Sequence, residues 1–144
     1  MYHYTELMDA ADFDAVAVLF ADAVLTNEGV AGEVKGGDAI ARLYRRTNRV
    51  HDDGTLRTRH ITANVIVDVD EGASTATARS AFVVFQQTPD LPLQPVVTGR
   101  YRDRFARVGG QWRFAQRHIT VDHVGDVSQH LQFDLAAFRD QHSG

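Results

Sequence analysis

The stretch Val96-Val-Thr-Gly-Arg-Tyr-Arg-Asp-Arg-Phe-Ala-Arg-Val108, Gly109-Gly110, Gln111-Trp-Arg-Phe-Ala-Gln-Arg-His-Ile-Thr-Val-Asp-His-Val124 decides the fold. Its residues alternate with the two-residue period of a strand. Arg100, Arg102 and Arg104 fall on one side, and Tyr101, Asp103 and Phe105 on the other. A Gly-Gly pair between two such runs predicts a hairpin. Working backwards, Thr75 to Gln87 predicts another strand. It is followed by a Pro89–Pro95 loop that three prolines keep out of the sheet. Arg57 to Asp70 is rich in β-branched residues, and Glu71-Gly72 supplies a turn to the next strand.

The first third of the chain has a different period. Asp12 is a good N-cap for a helix whose stripe is Phe13, Val16, Ala17 and Phe20. A short helix through Leu7 and Met8 precedes it. Residues 23–35 predict a strand pair turning near Gly29–Gly32. Asp38 is placed to cap a third helix with Ile40, Leu43, Tyr44 and Thr47 on its apolar face, which ends before Asp52-Asp53-Gly54. A final short helix is expected around Leu131–Phe138. Helices followed by a long antiparallel meander imply a single α+β domain, 1–144, in which a curved sheet carries helices over one face. Such a sheet makes a cone with a pocket at its mouth.

Composition bounds what that pocket does. At 144 residues and 16.0 kDa the chain supports one core, and 44% hydrophobic residues exceed what a disordered chain carries. With no cysteine there is no disulfide scaffold, thiolate metal site or cysteine nucleophile. The net charge is −4, and Lys35 is the only lysine beside 14 arginines, so no net basic face for nucleic acid is expected. No apolar run approaches the ~18 residues of a membrane span, and Met1-Tyr-His-Tyr-Thr-Glu does not open a signal peptide, so the expected setting is cytoplasmic. His118 and His123 lie five apart on one strand, on opposite faces, so no metal site is expected there. Gly36-Gly37 lacks the lysine and spacing of a phosphate loop. No serine sits in a Gly-x-Ser-x-Gly turn.

Three stretches, taken together, carry a family resemblance. They are Leu7-Met-Asp-Ala-Ala-Asp-Phe-Asp-Ala-Val-Ala-Val-Leu-Phe20, Arg59-His-Ile-Thr-Ala-Asn64, and Gly99-Arg-Tyr-Arg-Asp-Arg-Phe105 with Gly110-Gln-Trp-Arg-Phe-Ala-Gln-Arg-His118. The sequence resembles the SnoaL-like branch of the nuclear-transport-factor-2-like superfamily. Ketosteroid isomerase, scytalone dehydratase, limonene epoxide hydrolase and hexachlorocyclohexane dehydrochlorinase belong to that superfamily. The resemblance spans nearly the whole chain and implies a cone-shaped α+β barrel. Members carry a longer first helix, whereas only about eight residues precede the Asp-x-x-Asp-Phe stretch here, so a short roof is expected.

By motif position the resemblance implies an aspartate–histidine pair at Asp9 and His60, and an arginine at Arg117. An imidazole with its ordinary pKa near ~6.5 takes a proton at neutral pH. A carboxylate on its other nitrogen fixes the tautomer and stabilises the imidazolium. A guanidinium stabilises a departing anion or an enolate. Each residue also has a plain reading. Asp9 is equally a helix-end residue. On strict alternation His60 shares a face with Thr62, Asn64, Ile66 and Asp68, against a core face of Ile61, Val65, Val67 and Val69. That mixed face lines a pocket, a dimer interface or solvent. Arg117 needs a carboxylate, which Asp9, a substrate anion or Asp103 supplies. Asp122 competes as a base or caps its strand, and Asp103 between two arginines reads as an ion-pair partner.

The resemblance thus implies a cofactor-free enzyme removing a proton from a small, apolar, cyclic molecule, in a dehydration, elimination, isomerisation or cyclisation. Phe13, Tyr44, Asn64, Phe82, Tyr101 and Asp122 are the expected substrate contacts. The alternative is a non-catalytic small-molecule-binding or dimerisation module with a vestigial pocket. A homodimer or higher homo-oligomer is expected from the family.

Overall fold

Short helices need a partner surface, because an isolated helix under ~12 residues is marginal in water. In the computed structural model of the chain, which describes residues 1–28 and 30–134, three such helices share one. They are α1 (Tyr2–Asp9), α2 (Phe13–Leu19) and α3 (Gly37–Thr47). The sheet strands are β1 (Val24–Asn27), β2 (Val30–Lys35), β3 (Thr58–Asp70), β4 (Thr75–Thr88), β5 (Leu91–Val108) and β6 (Gln111–Val124). Asp12 caps α2, its side chain accepting from the Ala15 N–H at 3.0 Å. Asp38 is not the cap of α3: Gly36 holds that place, and Asp38 sits in the first turn, where its charge favours the helix dipole.

The strands form one curved, unclosed sheet in the order β2-β1-β6-β5-β4-β3. β3 to β6 make the expected antiparallel meander, and β1 joins β6 in parallel, so the sheet is mixed. The helices contribute Tyr4, Leu7, Met8, Phe13, Val16 and Phe20 to a core whose sheet side includes Leu25, Phe82, Val84, Tyr101 and Phe114. Burying each large side chain of this kind contributes roughly 1.5–3 kcal/mol.

Two glycines set the packing. A Cβ on Gly37 would lie 1.8 Å from the Ala17 carbonyl oxygen, so α3 starts against the backbone of α2 only because the side chain is absent. A Cβ on Gly99 would lie 2.6 Å from the Phe82 ring, and its absence lets Phe82 stack on Tyr101 at 4.4 Å between centroids.

Two further expectations are corrected. The proline segment belongs to the sheet: β5 begins at Leu91 and includes Pro92 and Pro95, whose missing N–H groups are tolerated at the bulged end of β5. There β6 pairs with β5 only from Val97 on, so the segment has β4 alone as neighbour. The alternation along β3 breaks at Asn64, which adopts φ 54° within a register shift between Ala63 and Ile66. The supposed core positions Ile61, Val67 and Val69 are instead 43–52% exposed. Of the final helix, residues 131–134 show an isolated bridge between Leu131 and Asn48 followed by bends, and the rest lies outside the described residues.

Candidate functional site

Asp9 ends α1 at the start of β3, where its carbonyl accepts the Leu56 N–H at 3.2 Å. Its carboxylate gathers three donors from β3. The Thr58 hydroxyl lies at 2.8 Å, the His60 N–H at 3.1 Å, and His60 Nδ1 at 2.5 Å. The backbone bonds fix the carboxylate, and the carboxylate fixes the ring. With Nδ1 donating to Asp9, the His60 tautomer presents Nε2 as the basic nitrogen. The pair is well shielded, at 6% side-chain exposure for His60 and 17% for Asp9.

His60 opens on a cavity of about 950 Å³ between the helices and the concave sheet face. Its deeper lining is Tyr4, Met8, Tyr44, Phe82, Val84 and Tyr101. The Tyr4 and Tyr44 hydroxyls bond each other at 2.9 Å. Burial holds the pKa of Tyr4 above, and those of Tyr44 and Tyr101 well above, the ordinary phenol range, so all three stay protonated. Asp122 also lines the cavity, engaged by Arg100, whose Nε and Nη2 donate to it at 2.7–3.1 Å.

Arg117 is elsewhere. Its Nε and Nη2 donate to the Asp103 carboxylate at 2.8 and 2.7 Å, with both side chains fully buried. The guanidinium packs on the rings of Tyr101 at 3.9 Å and Tyr4 at 4.5 Å. Burial opposes its charge, but the bonds it donates to Asp103 more than offset this and raise its pKa, so the guanidinium stays charged. Those two rings line the cavity, and Arg117 does not reach the lining. Phe13 stands behind Tyr44, at 6.4 Å between ring centroids, and Asn64 is exposed at the β3 bulge. Of the residues marked by the sequence, Asp9, His60, Tyr44, Phe82, Tyr101 and Asp122 converge at the cavity, with Asp9 behind His60. Arg117, Phe13 and Asn64 do not line it.

Among the lining residues that escape sequence reasoning are Tyr4 and His130. Tyr4 sits in a helix too short to show a period. His130 lies beyond the last strand, in a segment with no alternation to flag it, and its ring stands 6.0 Å from that of His60. Among the described residues no cluster of three His, Asp or Glu side chains is arranged to hold a metal, and no helix is long and apolar enough to cross a membrane.

Solved structures share this architecture. A variant of Rv3472 from Mycobacterium tuberculosis, a protein of unknown function, is 26% identical with a TM-score of 0.68, over 85% of this chain and 68% of the other. An NTF2-like protein with a cystatin-like fold from Novosphingobium aromaticivorans is 25% identical, TM-score 0.68, over 89% and 80%. A proposed scytalone dehydratase from the same organism is 23% identical, TM-score 0.67, over 88% and 81%, and shares the fold. No curated protein sequence matches the chain. The model of the SnoaL-like domain family matches residues 1–118, ending just after the strand residues that close the Arg117–Asp103 pair. The chain belongs to the SnoaL-like domain family.

Proposed function

We propose that this protein is a small-molecule enzyme that abstracts a proton without a cofactor. The observation that carries the reading is the 2.5 Å Asp9–His60 pair opening on an aromatic-walled cavity of about 950 Å³. His60 Nε2 takes a proton from carbon beside a carbonyl or leaving group. The C–H electrons pass into an enolate or expel the leaving group, and Asp9 stabilises the imidazolium. The proton then returns from His60 to the leaving group or to a new carbon. The apolar walls favour a small, hydrophobic, cyclic molecule. Arg117, committed to Asp103, holds up the tyrosine wall and takes no direct part. The fold shared with the proposed scytalone dehydratase supports a dehydration or related elimination.

The test is deuterium exchange at carbon, followed by NMR in D2O, over a panel of cyclic ketones with and without β-leaving groups. His60→Ala is expected to slow exchange or elimination by about 10²–10⁴-fold. An unchanged rate in that variant would overturn the assignment. Saturable binding with no exchange above buffer across the panel would support the non-catalytic binding module instead.

A further inference from the structure

The residues that close the cavity beyond β6 are held as a strap. The His130 carbonyl accepts the Arg49 N–H at 2.8 Å, and the Thr47 carbonyl accepts the Gln132 N–H at 2.9 Å. Gln86 Nε2 donates to the Gln129 carbonyl at 2.9 Å, where His51 Nε2 also bonds at 2.8 Å. These bonds tie residues 129–132 to the end of α3, the turn after it and β4. His130 is therefore seated by both of its neighbours, and its side chain is carried to the wall beside His60.

His130 is 5% exposed, and its Nδ1 is buried without a hydrogen-bond partner among the described residues. Nδ1 is too enclosed to meet a bound molecule, so the nitrogen that faces the cavity is Nε2, which makes no hydrogen bond among the described residues. Six buried side-chain polar atoms among the described residues lack partners, and His130 is the only one of their residues that lines the cavity. Three pairs of polar groups in the site are already engaged with one another: Tyr4 with Tyr44, Arg100 with Asp122, and His60 with Asp9.

We infer that the His130 imidazole is the second polar anchor of the cavity, donating a hydrogen bond to a carbonyl oxygen of the bound molecule while His60 faces the adjacent carbon. This assignment rests on the proton-abstraction reading and gives it the negative-charge stabiliser that Arg117 does not supply. Burial and the neighbouring His60 ring disfavour a second cation at this point, so His130 acts as a neutral N–H donor. Charge building on the carbonyl oxygen as His60 removes the proton strengthens that bond. No proton need leave His130. The substrate class is an apolar cyclic ketone, or a ring system that enolises to one.

The test uses 2-tetralone, with tetralin as its oxygen-free counterpart, and the ¹⁵N ring resonances of His130 in the full chain. The ketone is expected to shift those resonances and tetralin to leave them in place. 2-Tetralone is expected to bind about 2- to 10-fold more tightly than tetralin, an advantage that His130→Phe abolishes without weakening tetralin. His130→Phe should also slow α-deuterium exchange on the order of 10²-fold. No binding of 2-tetralone, or binding with His130 unmoved, overturns the assignment, and the wild-type resonances decide this even if the variant fails to fold. If His130 reports the ketone but wild type catalyses no exchange, the catalytic reading fails and the anchor stands. If His60-dependent exchange continues undiminished in His130→Phe, the anchor fails and the catalytic reading stands.

Discussion

Arg117 and Asp103 form a two-bond ion pair where no water reaches, and the cost of their desolvation is offset only while both are present. Removing one partner of such a pair typically costs about 3–5 kcal/mol, because the other charge is left buried. Asp103→Ala is expected to lower unfolding stability by that amount in urea titrations, a large part of the whole for a domain of this size. The loss should also loosen Tyr4 and Tyr101, which pack on the guanidinium. His130 has the opposite problem, a buried group that must stay uncharged. Burial, helped by His60 and His51 and opposed by Asp9, pushes its pKa down from 6.5 to about 3. Between those values the unfolded chain binds a proton that the folded chain refuses. Stability is therefore full above about pH 6.5 and falls as pH drops, by up to about 1.4 kcal/mol per pH unit from this group. Urea midpoints measured from pH 7 to pH 4 should fall more steeply for wild type than for His130→Phe, and parallel curves would refute the account.

Among the elements, the contact of α2 with α3 depends on one missing side chain. Gly37→Ala puts a methyl group into the Ala17 carbonyl, and backbone on both sides must move. A destabilisation of about 1–3 kcal/mol is expected by thermal or urea unfolding, despite the better helix propensity of alanine. This contact is invisible in the sequence, where Gly36-Gly37 reads only as a helix start. The hairpin of β5 and β6 is legible, because its alternation and the Gly109-Gly110 turn point to the same register. β3 is not, because before its bulge the buried face is the one that carries His60 rather than the apolar Ile61, and after the bulge the two-residue period is lost and Val67 is exposed. The prolines mislead for a related reason: exclusion from a sheet holds for central strands, and Pro92 and Pro95 sit where one neighbour is missing. At the site, Asp9 and His60 are marked by motif position, and 49 residues of chain separate the Thr58 hydroxyl from the carboxylate it joins. His130 has no local signature, since its seat is made entirely by long-range backbone bonds.

Over the whole molecule, the unclosed sheet leaves β3 as a 13-residue edge. Ile61, Ile66, Val67 and Val69 stand 43–52% exposed along it. A long, apolar, unpaired edge invites association, and stable folds cover or blunt it. Asp68 and Asp70 interrupt the apolar run, which favours one specific neighbour over indiscriminate pairing. The neighbour that fits the family expectation is a second copy of the chain. Sedimentation velocity at micromolar concentration is expected to show a species at twice the 16.0 kDa chain mass. Val67→Lys should shift that species toward the monomer, because the ammonium must be desolvated or the interface opened. The same variant should leave the Asp9–His60 pair untouched, since Val67 does not line the cavity. A wild-type monomer under these conditions would show that the exposed β3 edge is tolerated in water and that the cavity is built by a single chain.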